Sequence, residues 1–107
     1  MEEFLYEYFE CEHSPYMMFT AKVRSQEIPA VTHIDGSARI QSVSNNENPR
    51  IHALLDAFMR KTSIPVLLNT SFNVMGEPIV CSPTDAIYAF KKSGLNMLVI
   101  NNYIVYK

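Results

Sequence analysis

VLLNTSFNVMGEPIVCSPTDAI, residues Val66 to Ile87, is the stretch whose reading decides the fold. A short, continuously apolar run, IPVLL at 64–68, gives way at once to Asn69, Thr70, Ser71 and Asn73, then to Gly76 and to Ser82-Pro83, the signature of a helix start. A run of that length has the profile of a strand buried on both faces, and a strand, a polar loop and a helix in succession describe an α/β unit. The crevice outside the carboxyl ends of such strands is a usual place for a ligand. Asn69, Thr70, Ser71 and Asn73 carry short amides and hydroxyls that donate to phosphate or carbonyl oxygens and accept from an amide or a ribose hydroxyl. The same residue types build Asx-turns and helix caps without any ligand, and spacing alone leaves both readings standing.

Beyond this stretch, AIYAFKKSG continues the helix to a stop at Gly94, and MLVI and YIVY supply two closing strands. Before it, Asn48-Pro49 is a second cap, and Ile51, Leu54, Leu55 and Phe58 follow at the spacing of a helix laid on a sheet. Arg60 and Lys61 suit that helix's C-terminal dipole. YMMFTAKVR predicts a strand over 16–24, with Met17, Met18 and Phe19 in core and edge packing. IPAVTH at 28–33 and ARIQSV at 38–43 read as a hairpin across the turn signal Asp35-Gly36. Residues 2–10 alternate acidic and aromatic side chains and predict a short helix whose aromatic face covers something. The order is mixed α/β (α+β), read as a single domain over residues 1–107 without repeat or linker.

THIDGSAR forms a second constellation. Arg39 offers a planar fork suited to phosphate or carboxylate, and Asp35 can orient His33 or a hydroxyl. The alternative is an exposed Asp35–Arg39 ion pair beside an inert His33.

Composition narrows the function classes. Apolar residues at 48% and charged residues at 19% are ordinary globular values, so the chain is expected to fold. Nine Lys and Arg against 11 Asp and Glu leave no cationic footprint for DNA or RNA. MLVI is far shorter than the roughly 20 apolar residues of a membrane span. Three His and two Cys without paired spacing predict no metal site, and Cys81, with no GxSxG elbow or neighbouring His, is expected to be a small buried hydrophobe. Separated cysteines and the absence of a secretory signal in MEEFLYEYFE point to the cytoplasm.

SPYMMFTAKVR, IPAVTHIDGSARIQSV, NPRIHALLDAF and PVLLNTSFNVMGEPIVCSPTDAI, in this order, resemble the O-carbamoyltransferases of nodulation-factor and antibiotic synthesis, the NodU and CmcH type, from about Glu7 to the end. The resemblance implies the C-terminal part of a YrdC-like domain, a mixed twisted sheet with flanking helices. In that family the YrdC-like domain takes carbamoyl phosphate and ATP with Mg²⁺ to carbamoyl adenylate. A Kae1-like N-terminal domain, which carries a metal site, then transfers the carbamoyl group to a hydroxyl. Carried over, Arg39 would meet phosphate with His33 and Asp35 beside it as the catalytic group, and Asn69, Thr70, Ser71 and Asn73 would line the nucleotide or carbamoyl site. The family's upstream GPRALGNRS and FRPFAP segments are not in this chain, and Met75 stands where many members have a basic residue. The implied partners are ATP, carbamoyl phosphate, and a Kae1-like N-terminal chain or a second copy. The alternative function is a non-catalytic module that keeps the fold and binds only a ligand or a partner.

Overall fold

Leu5, Tyr8 and Phe9 organise the first half of the chain. In the computed structural model, which describes all residues from Met1 to Lys107, a 3₁₀ turn at Glu2–Phe4 runs into the short helix α1, Leu5–Tyr8. These three side chains are buried with Ile28, Ala38 and Ile40, and Ala21, Val23, Ile64 and Val66 pack around them. Burial of each large apolar side chain contributes about 1.5–3 kcal/mol, so a four-residue helix too short to persist alone is held by its packing. The expected helix therefore forms, and its aromatic face covers a two-stranded antiparallel ribbon. Strand β1, Thr20–Lys22, pairs with β2, Ser37–Arg39, in the register Thr20–Arg39, Ala21–Ala38 and Lys22–Ser37.

The hairpin partner differs from the sequence expectation. Residues 28–33 are no strand: Pro29–Val31 is a 3₁₀ turn, and β2 pairs with β1. Pro29 has no N–H for a ladder, and its fixed φ suits the first position of a helical turn. The Asp35-Gly36 turn does form, with the Gly36 N–H donating to the His33 carbonyl at 3.0 Å and Gly36 at φ +79°. The predicted strand at 16–24 shrinks to three residues. Met18 and Phe19 are exposed, so the packing expected of them is not seen.

Helix α2, Pro49–Thr62, starts where Asn48 predicts, with the Asn48 side chain accepting the Ile51 N–H at 3.3 Å. It covers only part of the expected stripe: Leu55 is buried and Phe58 half-buried. Leu55 is 5% exposed and packs with Met1, Val43, Phe4 and Met59, whereas Ile51 and Leu54 face solvent. IPVLL is not a strand either. Pro65 interrupts any ladder, Ile64 and Val66 turn to the core, and Leu67 and Leu68 are exposed.

Chain contacts group Met1–Leu68 and Asn69–Lys107 as two units. In the second, helix α3, Pro83–Lys92, is capped by Ser82, whose Oγ accepts the Asp85 N–H at 3.1 Å and donates to Asp85 Oδ2 at 2.6 Å. Ala86 and Phe90 bury against Leu98 of β3, Met97–Ile100, which pairs antiparallel with β4, Tyr103–Tyr106. The α+β class holds, with the strands shared between two small antiparallel sheets. No helix is long and apolar enough to cross a membrane.

Two predictions follow from the caps. Asn48→Ala leaves the Ile51 N–H without its acceptor, and the urea midpoint of the chain falls by the equivalent of about 1 kcal/mol. At the α3 cap, the Ser82 hydroxyl and then the Cys81 thiol hold the Asp85 carboxyl below its ordinary value. A lowered folded-state value means the contribution is complete above the ordinary aspartate range, about pH 4, and is lost only as the pH drops through the still lower folded value. Circular dichroism across acid pH then shows a loss of helicity in the parent that Asp85→Asn, already without the charge, does not repeat.

Candidate functional site

Strand β2 decides which side chains of THIDGSAR reach solvent. Successive residues alternate faces, so burial of Ala38 and Ile40 puts Ser37 and Arg39 together on the outer face. His33 and Asp35 join them from the turn. The His33 N–H donates to the Ser37 carbonyl at 2.7 Å, and Asp35 Oδ1 accepts the Ser37 N–H at 3.0 Å and the Ser37 hydroxyl at 2.7 Å. His33 Nδ1 lies 2.9 Å from the same hydroxyl. The Ser37 hydroxyl, and after it the Ser37 N–H, holds the Asp35 carboxyl below its ordinary value. Asp35 is thus engaged by Ser37, and the ion pairs of the chain do not include one between Asp35 and Arg39. Arg39 is exposed with its guanidinium outside any such pair. The hub of this cluster is Ser37, which motif reading passed over. The signal was its place in the alternation, two residues from both Asp35 and Arg39.

In the second unit, Thr70, Ser71 and Asn73 border one cavity of about 430 Å³, with Phe72, Ala89, Ser93, Gly94 and Leu95 completing the wall. Asn69 is not part of that wall. The loop is closed by the Val80 N–H donating to the Phe72 carbonyl at 2.9 Å and by a turn in which the Glu77 N–H reaches the Val74 carbonyl at 2.9 Å. Asn73 Nδ2 donates to the Glu77 carbonyl at 3.0 Å and lies 3.5 Å from the Val74 carbonyl, so its NH2 is turned to the loop and Oδ1 is the atom left to a ligand. The wall contains hydroxyls, an amide and one aromatic ring, and no carboxylate. Ser93 went unnoticed in the sequence because a residue at the end of a helix carries no ligand motif.

Several other ionisable groups meet in the first unit. A cavity of about 740 Å³ in the first unit is lined by Glu2, Glu3, Asp56, His52, Ser44, Asn45 and Ala53, an acidic wall unsuited to phosphate. His13 meets Glu2 at 2.7 Å, and His52 meets Glu3 at 2.9 Å. No group of three or more His, Cys, Asp and Glu is placed to hold a metal ion. Cys81 is exposed rather than buried, its Sγ 3.5 Å from Asp85 Oδ2, because the cap it precedes sits at the surface.

Comparison with known proteins adds the lineage. The family described as Carbamoyltransferase C-terminus matches residues 1–107. Nodulation protein NolO of Bradyrhizobium diazoefficiens is 42% identical over 100% of this chain and 21% of its own length. An uncharacterized protein of Synechocystis sp. is 40% identical over 94% of the chain and 20% of its own length. A 3'-hydroxymethylcephem-O-carbamoyltransferase of Amycolatopsis lactamdurans is 39% identical over 82% of the chain and 17% of its own length. The chain spans about a fifth of the length of these curated relatives. With a family match from end to end and identities at this level, the chain belongs to the carbamoyltransferase family and corresponds to its C-terminal domain.

Proposed function

We propose that this chain contributes to binding ATP and carbamoyl phosphate for carbamoyl-adenylate formation, ahead of carbamoyl transfer to a hydroxyl acceptor. The observation that carries the reading is the pairing of whole-chain family membership with an Arg39 outside any ion pair and a cavity at Thr70, Ser71 and Asn73 whose wall holds no carboxylate. Arg39, outside any ion pair, presents a fork of N–H donors to phosphate oxygens, and a fixed cation there stabilises charge on a phosphoryl group in transfer. Thr70, Ser71 and Asn73 Oδ1 give the about 430 Å³ cavity the donors and acceptors that a nucleotide or a carbamoyl group needs. Mg²⁺ arrives on the ATP phosphates, as it usually does in nucleotide sites. Such a substrate and two unpaired cysteines fit a reducing cytoplasm.

Exposed Val99, Tyr103, Ile104 and Tyr106, and Met75 at 98% exposure, support a covering partner, either a Kae1-like N-terminal chain or a second copy. One observation favours the alternative of a non-catalytic binding module: the Asn73 amide N–H already serves its own loop.

The test is the urea midpoint of the chain at low temperature with ATP–Mg²⁺, fresh carbamoyl phosphate, or both. A ligand at 100 times its Kd adds about 2.7 kcal/mol to the folded state. The expected result is a raised midpoint that Arg39→Ala and Ser71→Ala diminish. A midpoint indifferent to millimolar ligand overturns the proposal, and a raised midpoint without adenylate formation in the presence of the N-terminal domain selects the binding module.

A further inference from the structure

We infer that Ser37 is a positioning residue that fixes His33 as its Nδ1–H tautomer, so that Nε2 presents a lone pair that distinguishes a carbamoyl phosphate from an acyl phosphate lacking the amide. The second half rests on the proposed reading of the Arg39 cluster. The first half rests on proton counting. An ionised carboxylate only accepts, and Asp35 Oδ1 receives both the N–H and the O–H of Ser37, at 3.0 and 2.7 Å. A serine hydroxyl has one proton, and here it points at Asp35. Toward His33 Nδ1, 2.9 Å away, the same oxygen can only accept. Nδ1 therefore carries the proton, and a neutral ring then has its lone pair on Nε2.

The arrangement is braced on both sides. Ser37 is set by its pairing with Lys22, and the turn returns His33 to it through the His33 N–H to Ser37 carbonyl bond. An outward lone pair accepts from an N–H and is repelled by anionic oxygen. Within carbamoyl phosphate, the amide is the only N–H donor, whereas the phosphate oxygens match the Arg39 guanidinium two residues along the same strand face. Acetyl phosphate has the same size and charge, with a methyl group in place of the amide. A single hydrogen bond of this kind yields about tenfold discrimination.

NMR of the His33 ring nitrogens in the whole ligand-free chain, with the ring neutral, reads the tautomer directly. The expected result is a protonated Nδ1, reversion to the Nε2–H form in Ser37→Ala, and retention in Ser37→Thr, which keeps the hydroxyl. Nε2–H in the parent, or no change in Ser37→Ala, overturns the positioning role. Titration with carbamoyl phosphate and acetyl phosphate then separates the two halves. Preference for the carbamoyl compound, lost in Ser37→Ala and His33→Ala, upholds recognition by Nε2. Equal binding of both with the expected tautomer overturns that recognition while the phosphate-binding reading survives. Binding of neither overturns the proposed function itself and the recognition with it, and the tautomer result stands apart.

Discussion

The burial of Ala38 and Ile40 beneath Leu5, Tyr8 and Phe9 is the constraint on which the first unit depends. A strand has a period of two, so pinning those residues inward forces Ser37 and Arg39 outward. A slip of one residue would drive the Arg39 guanidinium into an aromatic core, where an unpaired charge costs far more than any loop adjustment returns. The register is therefore set by the core, and the chemistry of the outer face is inherited from it. The N-terminal helix, remote from the motif in sequence, is a determinant of its geometry.

The second unit solves a similar problem with capping. Phe90, 3% exposed, joins Ala86 and Leu98 in a small core, and so few buried side chains leave α3 dependent on its ends. Ser82 and Asp85 satisfy donors at its N-terminus, while Lys91 and Lys92 sit at the negative end of its dipole. Ser93 and Gly94, just beyond that end, form part of the wall facing Thr70 and Ser71. Ser93, whose N–H closes the last turn on the Ala89 carbonyl, thus belongs both to the helix end and to the cavity wall.

What was legible in the sequence was what local chemistry decides. Asn48-Pro49 and Ser82-Pro83 mark helix starts because the cap and the first turn lie within four residues, and both are where the pattern puts them. The strands assigned to 28–33 and 64–68 fail because a strand needs a partner, and apolar character says nothing about whether one is available; Pro29 and Pro65 were the local evidence against a ladder. The stripe Ile51, Leu54, Leu55 and Phe58 is covered only at Leu55 and in part at Phe58, for a related reason. Periodicity shows that a helix has an apolar side, and the neighbours in three dimensions choose which part of it is covered. At the candidate site, His33, Asp35 and Arg39 were visible by residue type, but Ser37 acquires its role only when the turn folds it back onto two side chains at once.

Charge sets the terms on which such a chain could hold phosphate. With 9 cationic and 11 anionic side chains, its overall field gives a polyanion no attraction, and the Glu2, Glu3 and Asp56 wall opposes one. At physiological ionic strength, charges beyond about 8 Å are largely screened, so the groups beside Arg39 weigh more than the overall field. Affinity has to come from donors already in place. A guanidinium outside any ion pair need not break a contact to bind an anion, and a carboxylate tied to Ser37 is prevented from becoming its partner. The Asp35–Ser37 bond therefore has two consequences on one strand face: it fixes the hydroxyl that meets the imidazole, and it ties up a carboxylate that would otherwise be open to pair with Arg39.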